Sequence, residues 1–289
     1  MTLPVLVVQN STIDPPARLG EWLTSAGLTL DVREMFAGDS LPTDLTGHSG
    51  LLVMGGQMGA LEDDRAPWLP EVRALLQEAV RAEVPTLGVC LGAQLIAVSL
   101  GGRVQVGADG PEIGAQLIAK RAVSATDPLF GPMPITPDVI QWHDDVVTKL
   151  PGNAVLLASS PVYEMQAFRV GRVCWAVQAH IETTPEMVRA WAASDQDRPG
   201  IDFDRVLERS DAVHDDIAET WQPFAERFAE VVKDPAAVKV GRGPTVTTAA
   251  PIDDPAAIRA ALAMDMQSSR GHGVLPLPGL RPSDIPDAD

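Results

Sequence analysis

Cysteine is scarce: two thiols, Cys90 and Cys174, in 289 residues. That excludes a disulfide framework and a cysteine-based zinc cluster, and it agrees with a reducing, cytoplasmic setting. Basic charge is also in deficit, 22 Lys and Arg against 39 Asp and Glu, for a net charge of −17. A surface of that sign repels the phosphate backbone, so nucleic acid is excluded as a general partner. Aromatic residues make up 4% of the chain, and its six tryptophans are scattered rather than arranged as a stacking platform. Long apolar runs are missing too. The charge-free stretch 84–102 contains Gln94 and four glycines, which reads as a strand, a turn and a helix in a core rather than a membrane span. No basic region followed by an apolar stretch opens the sequence, so no signal peptide is expected. The pattern G-x-x-x-x-G-K-[ST] is absent, so no P-loop synthetase module is expected either.

What is present is globular: 45% apolar and 21% charged residues, in a chain long enough to bury a sizeable core. The first half alternates strand-like and helix-like segments. Val5–Val8, an edge strand at Leu30–Arg33, Leu51–Met54 and Pro85–Val89 read as strands, with helices over Pro16–Gly27, Pro70–Arg81 and after Cys90. This alternation predicts an α/β fold of three layers with a mostly parallel central sheet. Shorter strand-like runs follow at Ala115–Leu117, Val139–Gln141, Ala154–Ala158, Met165–Val170 and Val173–Val177, and then a long amphipathic helix over Ile201–Lys233 that Pro223 should kink or divide. The expected organisation is one domain over 1–235, ending in that helical extension, and a Pro/Gly-rich tail over 236–289. The tail reads as a linker or a partly disordered segment, with a short helix suggested by Asp254 as N-cap and Pro255 at the first helical position.

Three segments carry chemistry. Gly88-Val89-Cys90-Leu91-Gly92 places a thiol between two glycines, directly after a strand and at the start of a helix. Glycines permit a sharp strand-to-helix elbow that lifts the side chain into a cleft, and a helix N-terminus favours the thiolate. A thiol needs a base, and the base an orienting group. His180-Ile181-Glu182 supplies both, because side chains two apart in extended backbone project to one side. Gly55-Gly56, at the end of another strand, can offer backbone N–H groups to an oxyanion, with the Leu91 N–H as a second donor.

In the order and spacing of these motifs the sequence resembles the class I (triad-type) glutamine amidotransferases, in their GMP-synthase-like branch, over about residues 4–190. Thr86–Gln94 is similar to the family's nucleophile motif, and Met54-Gly55-Gly56 to its oxyanion loop. Gln178-Ala179-His180-Ile181-Glu182 matches Q-F-H-P-E with two changes, Glu112-Ile113-Gly114 an E-I-G segment, and Trp142-His143-Asp144-Asp145 a W-H-G-D segment. The resemblance implies the family's flavodoxin-like fold and Cys90, His180 and Glu182 as catalytic residues. It implies Gln94, His143, Asp144 and Asp145 in the substrate pocket, with no cofactor and no metal. It also implies glutamine or another γ-glutamyl small molecule as substrate, a thioester on Cys90, and release of ammonia for a separate synthetase or acceptor subunit. Asp144 stands where the family usually has glycine, which puts a carboxylate at the substrate's amino-acid end. A stand-alone γ-glutamyl hydrolase and a non-catalytic, glutamine-binding regulatory protein are the competing readings.

Other residues read as structural. Cys174 lies in an apolar strand and is expected in the core. Asp211, His214 and Asp215 have helical ligand spacing but are expected on a solvated face. His143 reads equally as a pocket residue and as a structural histidine. His48 and His272 have no partner that the sequence reveals.

Overall fold

The structure, a computed structural model, describes residues 3–240. In its first hundred residues β1 (Val5–Gln9), α1 (Ala17–Ser25), β2 (Leu30–Glu34), β3 (Gly50–Val53), α2 (Leu69–Arg81), β4 (Thr86–Val89) and α3 (Leu91–Ser99) alternate. There follow β5 (Arg103–Val106), β6 (Glu112–Leu117), β7 (Ala119–Lys120), β8 (Asp138–His143), β9 (Asp145–Lys149), β10 (Ala154–Ser159), β11 (Ala167–Val170) and β12 (Cys174–Val177), and then α4 (Pro185–Ser194) and α5 (Phe203–Lys233).

β1, β3, β4 and β12 are buried along their whole length, as continuous apolar runs are when helices cover both faces of a sheet. Eight strands form the central sheet in the order β2-β1-β3-β4-β12-β11-β10-β7. The strands from β2 to β12 are parallel, and β11, β10 and β7 continue antiparallel. One face packs on α1, α4 and α5 through residues such as Leu19, Trp191, Trp221, Phe224 and Phe228. The other packs on α2 and α3 through Leu69, Leu76, Leu95 and Ile96. The three-layer, mostly parallel α/β arrangement is the one the sequence predicts, and β2 is the edge strand. β6 with β8 and β5 with β9 make two antiparallel ribbons outside the main sheet.

The helix boundaries follow local chemistry. In α4 Pro185 takes the first turn and the Thr184 hydroxyl accepts from the Met187 N–H at 3.3 Å. In α5 the Asp202 carboxylate accepts from the Arg205 N–H at 3.1 Å. Both are N-caps that satisfy otherwise orphaned donors.

Three expectations need correcting. Of the two outcomes expected at Pro223, a kink or a division, the division does not occur: α5 runs through it as a single 31-residue helix. The missing N–H and ring clash cost about 3 kcal/mol, and the fully buried Trp221, Phe224 and Phe228 on either side outweigh that cost. His214 is buried, not on a solvated face, with its Nε2 3.3 Å from the Thr183 hydroxyl. His48 has a partner after all, the Asp31 carboxylate at 2.9 Å. Cys174 is core, and burial pushes its thiol up to about 12. No helix among the described residues is long and apolar enough to cross a membrane. The suggested helix at Asp254, His272 and nearly all of the tail lie outside the described residues.

Candidate active site

β1, β3, β4 and β12 are parallel neighbours, so the loops after their C-terminal ends gather at one sheet edge, where α/β proteins bind ligands. Cys90 follows β4, Gly55 and Gly56 follow β3, His180 and Glu182 follow β12, and Asp14 lies in the loop after β1. The elbow is geometrically demanding. Cys90 has φ 50° and ψ −107°, a left-handed conformation unusual for a side chain with a Cβ. Its N–H is held by the Val177 carbonyl at 2.9 Å and its carbonyl by the Gln94 N–H at 3.1 Å. A Cβ on Gly92 would overlap the Val53 carbonyl oxygen, and one on Gly88 would lie 2.6 Å from the Gly92 backbone. Strand, elbow and helix thus approach closely enough to exclude any side chain there.

His180 is fixed by its backbone, which exchanges hydrogen bonds with Ile140 of β8 at 2.8 and 3.1 Å. Its Nδ1 is 2.7 Å from Glu182 Oε1, and Glu182 Oε2 accepts the Ile181 N–H at 2.8 Å. Both carboxylate oxygens are therefore engaged, and Nε2 is left as the ring nitrogen available to the thiol. Trp191 lies across the imidazole at a centroid distance of 4.4 Å. Burial disfavours the imidazolium, but the Glu182 carboxylate and the Cys90 sulfur together raise the His180 pKa well above its ordinary 6.5.

These groups open on a cavity of about 540 Å³ lined by Cys90, His180, Gly56, Gln94, His143, Asp144 and Asp145 among others. Gly55 and Gly56 lie flush with the site: a Cβ on Gly55 would come within 3.0 Å of His180 Cε1, and one on Gly56 within 2.9 Å of Leu91 Cδ2. Leu91 is the first residue of α3, next to the thiol. Gln94 is buried and directs both amide hydrogens into the protein, to the Asp145 carbonyl at 3.0 Å and Gln178 Oε1 at 3.3 Å, so only its oxygen is left for a ligand. Gln178 in turn donates to Cys90 Sγ at 3.8 Å. His143 is buried with Nε2 at 3.1 Å from Gln141 and 3.3 Å from Glu112, and its Nδ1 has no partner among the described residues. Structural and pocket readings of His143 both fit that placement. The Asp145 carboxyl has its pKa raised by burial, then by Asp144 and Glu62. Among the described residues no group of three His, Cys, Asp or Glu side chains is arranged to hold a metal.

Sequence reasoning missed several lining residues, among them Asp14, Trp191 and Arg198. Asp14 comes from an irregular loop with no motif, and only the rule that strand ends converge points to it. Trp191 and Arg198 come from beyond the H-x-E segment. Arg198 Nη2 meets Asp144 Oδ2 at 2.5 Å, and Trp142 Nε1 donates to Asp195 at 3.1 Å, so the α4–α5 connection is tied across the cavity mouth.

Residues 23–190 match the model of the glutamine amidotransferase class-I family, and the chain belongs to that family. γ-Glutamyl peptidase 4 of Arabidopsis thaliana is 31% identical over 141 residues, 48% of this chain and 55% of the peptidase. The chain thus spans about half the length of that curated relative. One of the subunits of the glutamine-hydrolysing GMP synthase of Thermoplasma acidophilum is 31% identical over 163 residues, 56% of this chain and 76% of that relative. A glutamine amidotransferase from Thermotoga maritima superposes with a TM-score of 0.71 at 27% identity, covering 80% of this chain and 99% of that one.

Proposed function

We propose that the protein is a cysteine-dependent amidase that cleaves the side-chain amide of glutamine or of a γ-glutamyl relative. The observation that carries this reading is the buried His180–Glu182 pair at 2.7 Å, opening on the same cavity as a thiol held at a strained elbow. In this mechanism His180 Nε2 takes the Cys90 proton, and the sulfur attacks the γ-carbonyl carbon. The oxyanion is met by backbone N–H groups of the Gly55-Gly56 loop and of Leu91. The imidazolium passes its proton to the nitrogen as the C–N bond breaks, leaving a γ-glutamyl thioester. Water, deprotonated by His180, then hydrolyses the thioester to glutamate. Glu182 holds the imidazole and balances its charge. Asp145 and the Gln94 oxygen face the substrate's amino-acid end.

The two curated relatives frame the substrate question, one named a γ-glutamyl peptidase and the other part of a glutamine-hydrolysing synthase. Glutamine with delivery of ammonia to a separate acceptor subunit is the leading assignment, in a reducing cytoplasm that keeps Cys90 a thiol. A stand-alone γ-glutamyl hydrolase is the second, favoured by Arg198 at the cavity mouth, a cation that can meet the carboxylate of a longer leaving group. The test is release of glutamate and ammonia by wild type and Cys90→Ser, from glutamine and from γ-glutamyl dipeptides. Wild-type turnover that Cys90→Ser abolishes supports the reading, and the preferred substrate decides between the two assignments. Saturable glutamine binding with no turnover of any γ-glutamyl compound would instead indicate a regulatory binding protein.

A further inference from the structure

Asp14 is 5% exposed, lines the same cavity as Cys90 and His180, and has an Oδ2 without a hydrogen-bond partner among the described residues. A buried polar atom left unpaired costs free energy, so a free acceptor in the cavity that holds the Cys90 thiol points to a ligand. Its position is defined by Gly55: a Cβ built there would sit 3.0 Å from His180 Cε1 and 3.2 Å from Asp14 Oδ1. Gly55 therefore sits between the Cε1 edge of the His180 ring and the Asp14 carboxyl, while Glu182 holds Nδ1.

We propose that Asp14 receives the departing nitrogen: it is the hydrogen-bond acceptor of the leaving-group subsite, selecting substrates that leave as ammonia or a primary amine. The inference rests on the amidase reading above. As the C–N bond breaks, its electron pair stays on nitrogen, which takes one proton from the His180 imidazolium and keeps its own N–H hydrogens. Those hydrogens need acceptors beside the imidazole. Glu182 has none to give, since Oε1 faces His180 Nδ1 and Oε2 holds the Ile181 N–H. Gln178 Oε1 is engaged by Gln94. Asp14 Oδ2 is free, and a carboxyl keeps a lone-pair oxygen whether or not it is protonated. Burial, and then Glu182, raise the Asp14 pKa, against His180, Ser11 and Trp191, which lower it. No arginine or lysine acts on it, and Oδ2 is the oxygen without a hydrogen-bond partner among the described residues.

The test compares an amide with an ester. Glutamine carries N–H hydrogens on its leaving group, while glutamic acid γ-methyl ester carries none until His180 protonates it. In Asp14→Leu, similar in shape and without an acceptor, kcat/KM for glutamine falls about 10-fold or more relative to the ester. Asp14→Asn, which keeps one acceptor oxygen, recovers part of that ratio. Because the ratio is taken within each variant, partial loss of folded protein cancels. Alkylation of Cys90 by 6-diazo-5-oxo-norleucine, whose leaving group is dinitrogen, is slowed less in Asp14→Leu than glutamine turnover is. An equal fall for both substrates, or no fall for glutamine, would overturn the proposal while leaving the amidase reading intact. Wild-type protein that turns over neither substrate and is not alkylated would overturn both.

Discussion

Cys90, His180 and Glu182 act at the scale of single atoms, and the His180–Glu182 contact gives the sharpest prediction there. His180 has its pKa raised above 6.5 by Glu182 and Cys90. A raised folded-state value means that the charged ring stabilises the protein fully below pH 6.5, and that this contribution is lost as pH rises through the raised value. Glu182→Gln removes the main cause. We expect kcat for amide hydrolysis to drop by about 10³-fold or more and the acidic limb of the pH–rate profile, where His180 must be neutral to act as base, to move down toward the ordinary imidazole value. Denaturant titrations should show the variant most destabilised below pH 6.5, where wild type holds the whole benefit, and progressively less so at higher pH. Cys90 and the H-x-E pair were legible in the sequence because their signals are local: a thiol between glycines after a strand, and two residues two apart. Asp14 was not, because its loop has no periodicity and its meaning arises only where β1 ends beside β3 and β12.

At the scale of elements, the elbow depends on backbone meeting backbone. Gly92 faces the Val53 carbonyl, and no side chain stands between them that can yield. Gly92→Ala should therefore separate β3 from α3, costing at least about 1–3 kcal/mol, and should slow alkylation of Cys90 as the thiol shifts. A urea titration and a labelling time course read the two effects, and an unchanged midpoint with unchanged labelling would count against this packing. The strand–elbow–helix unit could be read from sequence because strand pattern, glycine spacing and helix start agree. α4 could not, because it is short, ten residues, and its Thr184 cap becomes recognisable only once His180 and Glu182 end the preceding segment. Pro223 misled for a related reason: local chemistry argues for a break, and burial of Trp221, Phe224 and Phe228 overrides it.

Over the whole molecule, the sheet must stay closed around one edge for distant residues to meet. A buried network does part of this work on the antiparallel side. Arg169 of β11 meets Asp127 at 2.8 Å, Trp175 of β12 donates to the same carboxylate at 3.1 Å, and the Leu129 and Phe130 N–H groups approach it at 3.0 and 3.1 Å. Asp127→Ala would leave Arg169 buried and unpaired, and we expect a loss of about 3–5 kcal/mol in chemical denaturation. At the cavity mouth Arg198 and Asp144 are 54 positions apart in the chain yet 2.5 Å apart in space. No sequence pattern couples them, so this closure was invisible before the fold placed the α4–α5 connection over β8 and β9. Arg198→Ala should raise KM for longer γ-glutamyl substrates more than for glutamine, as steady-state kinetics on both will report.

The proposed function makes Cys90 the nucleophile in a site built for glutamine. The most direct measurement is mass spectrometry of the protein treated with 6-diazo-5-oxo-norleucine, with and without glutamine as competitor. One covalent adduct on Cys90, suppressed by glutamine and absent from Cys90→Ser, is the predicted result. An unmodified Cys90 at saturating reagent, or modification that glutamine fails to slow, would contradict it.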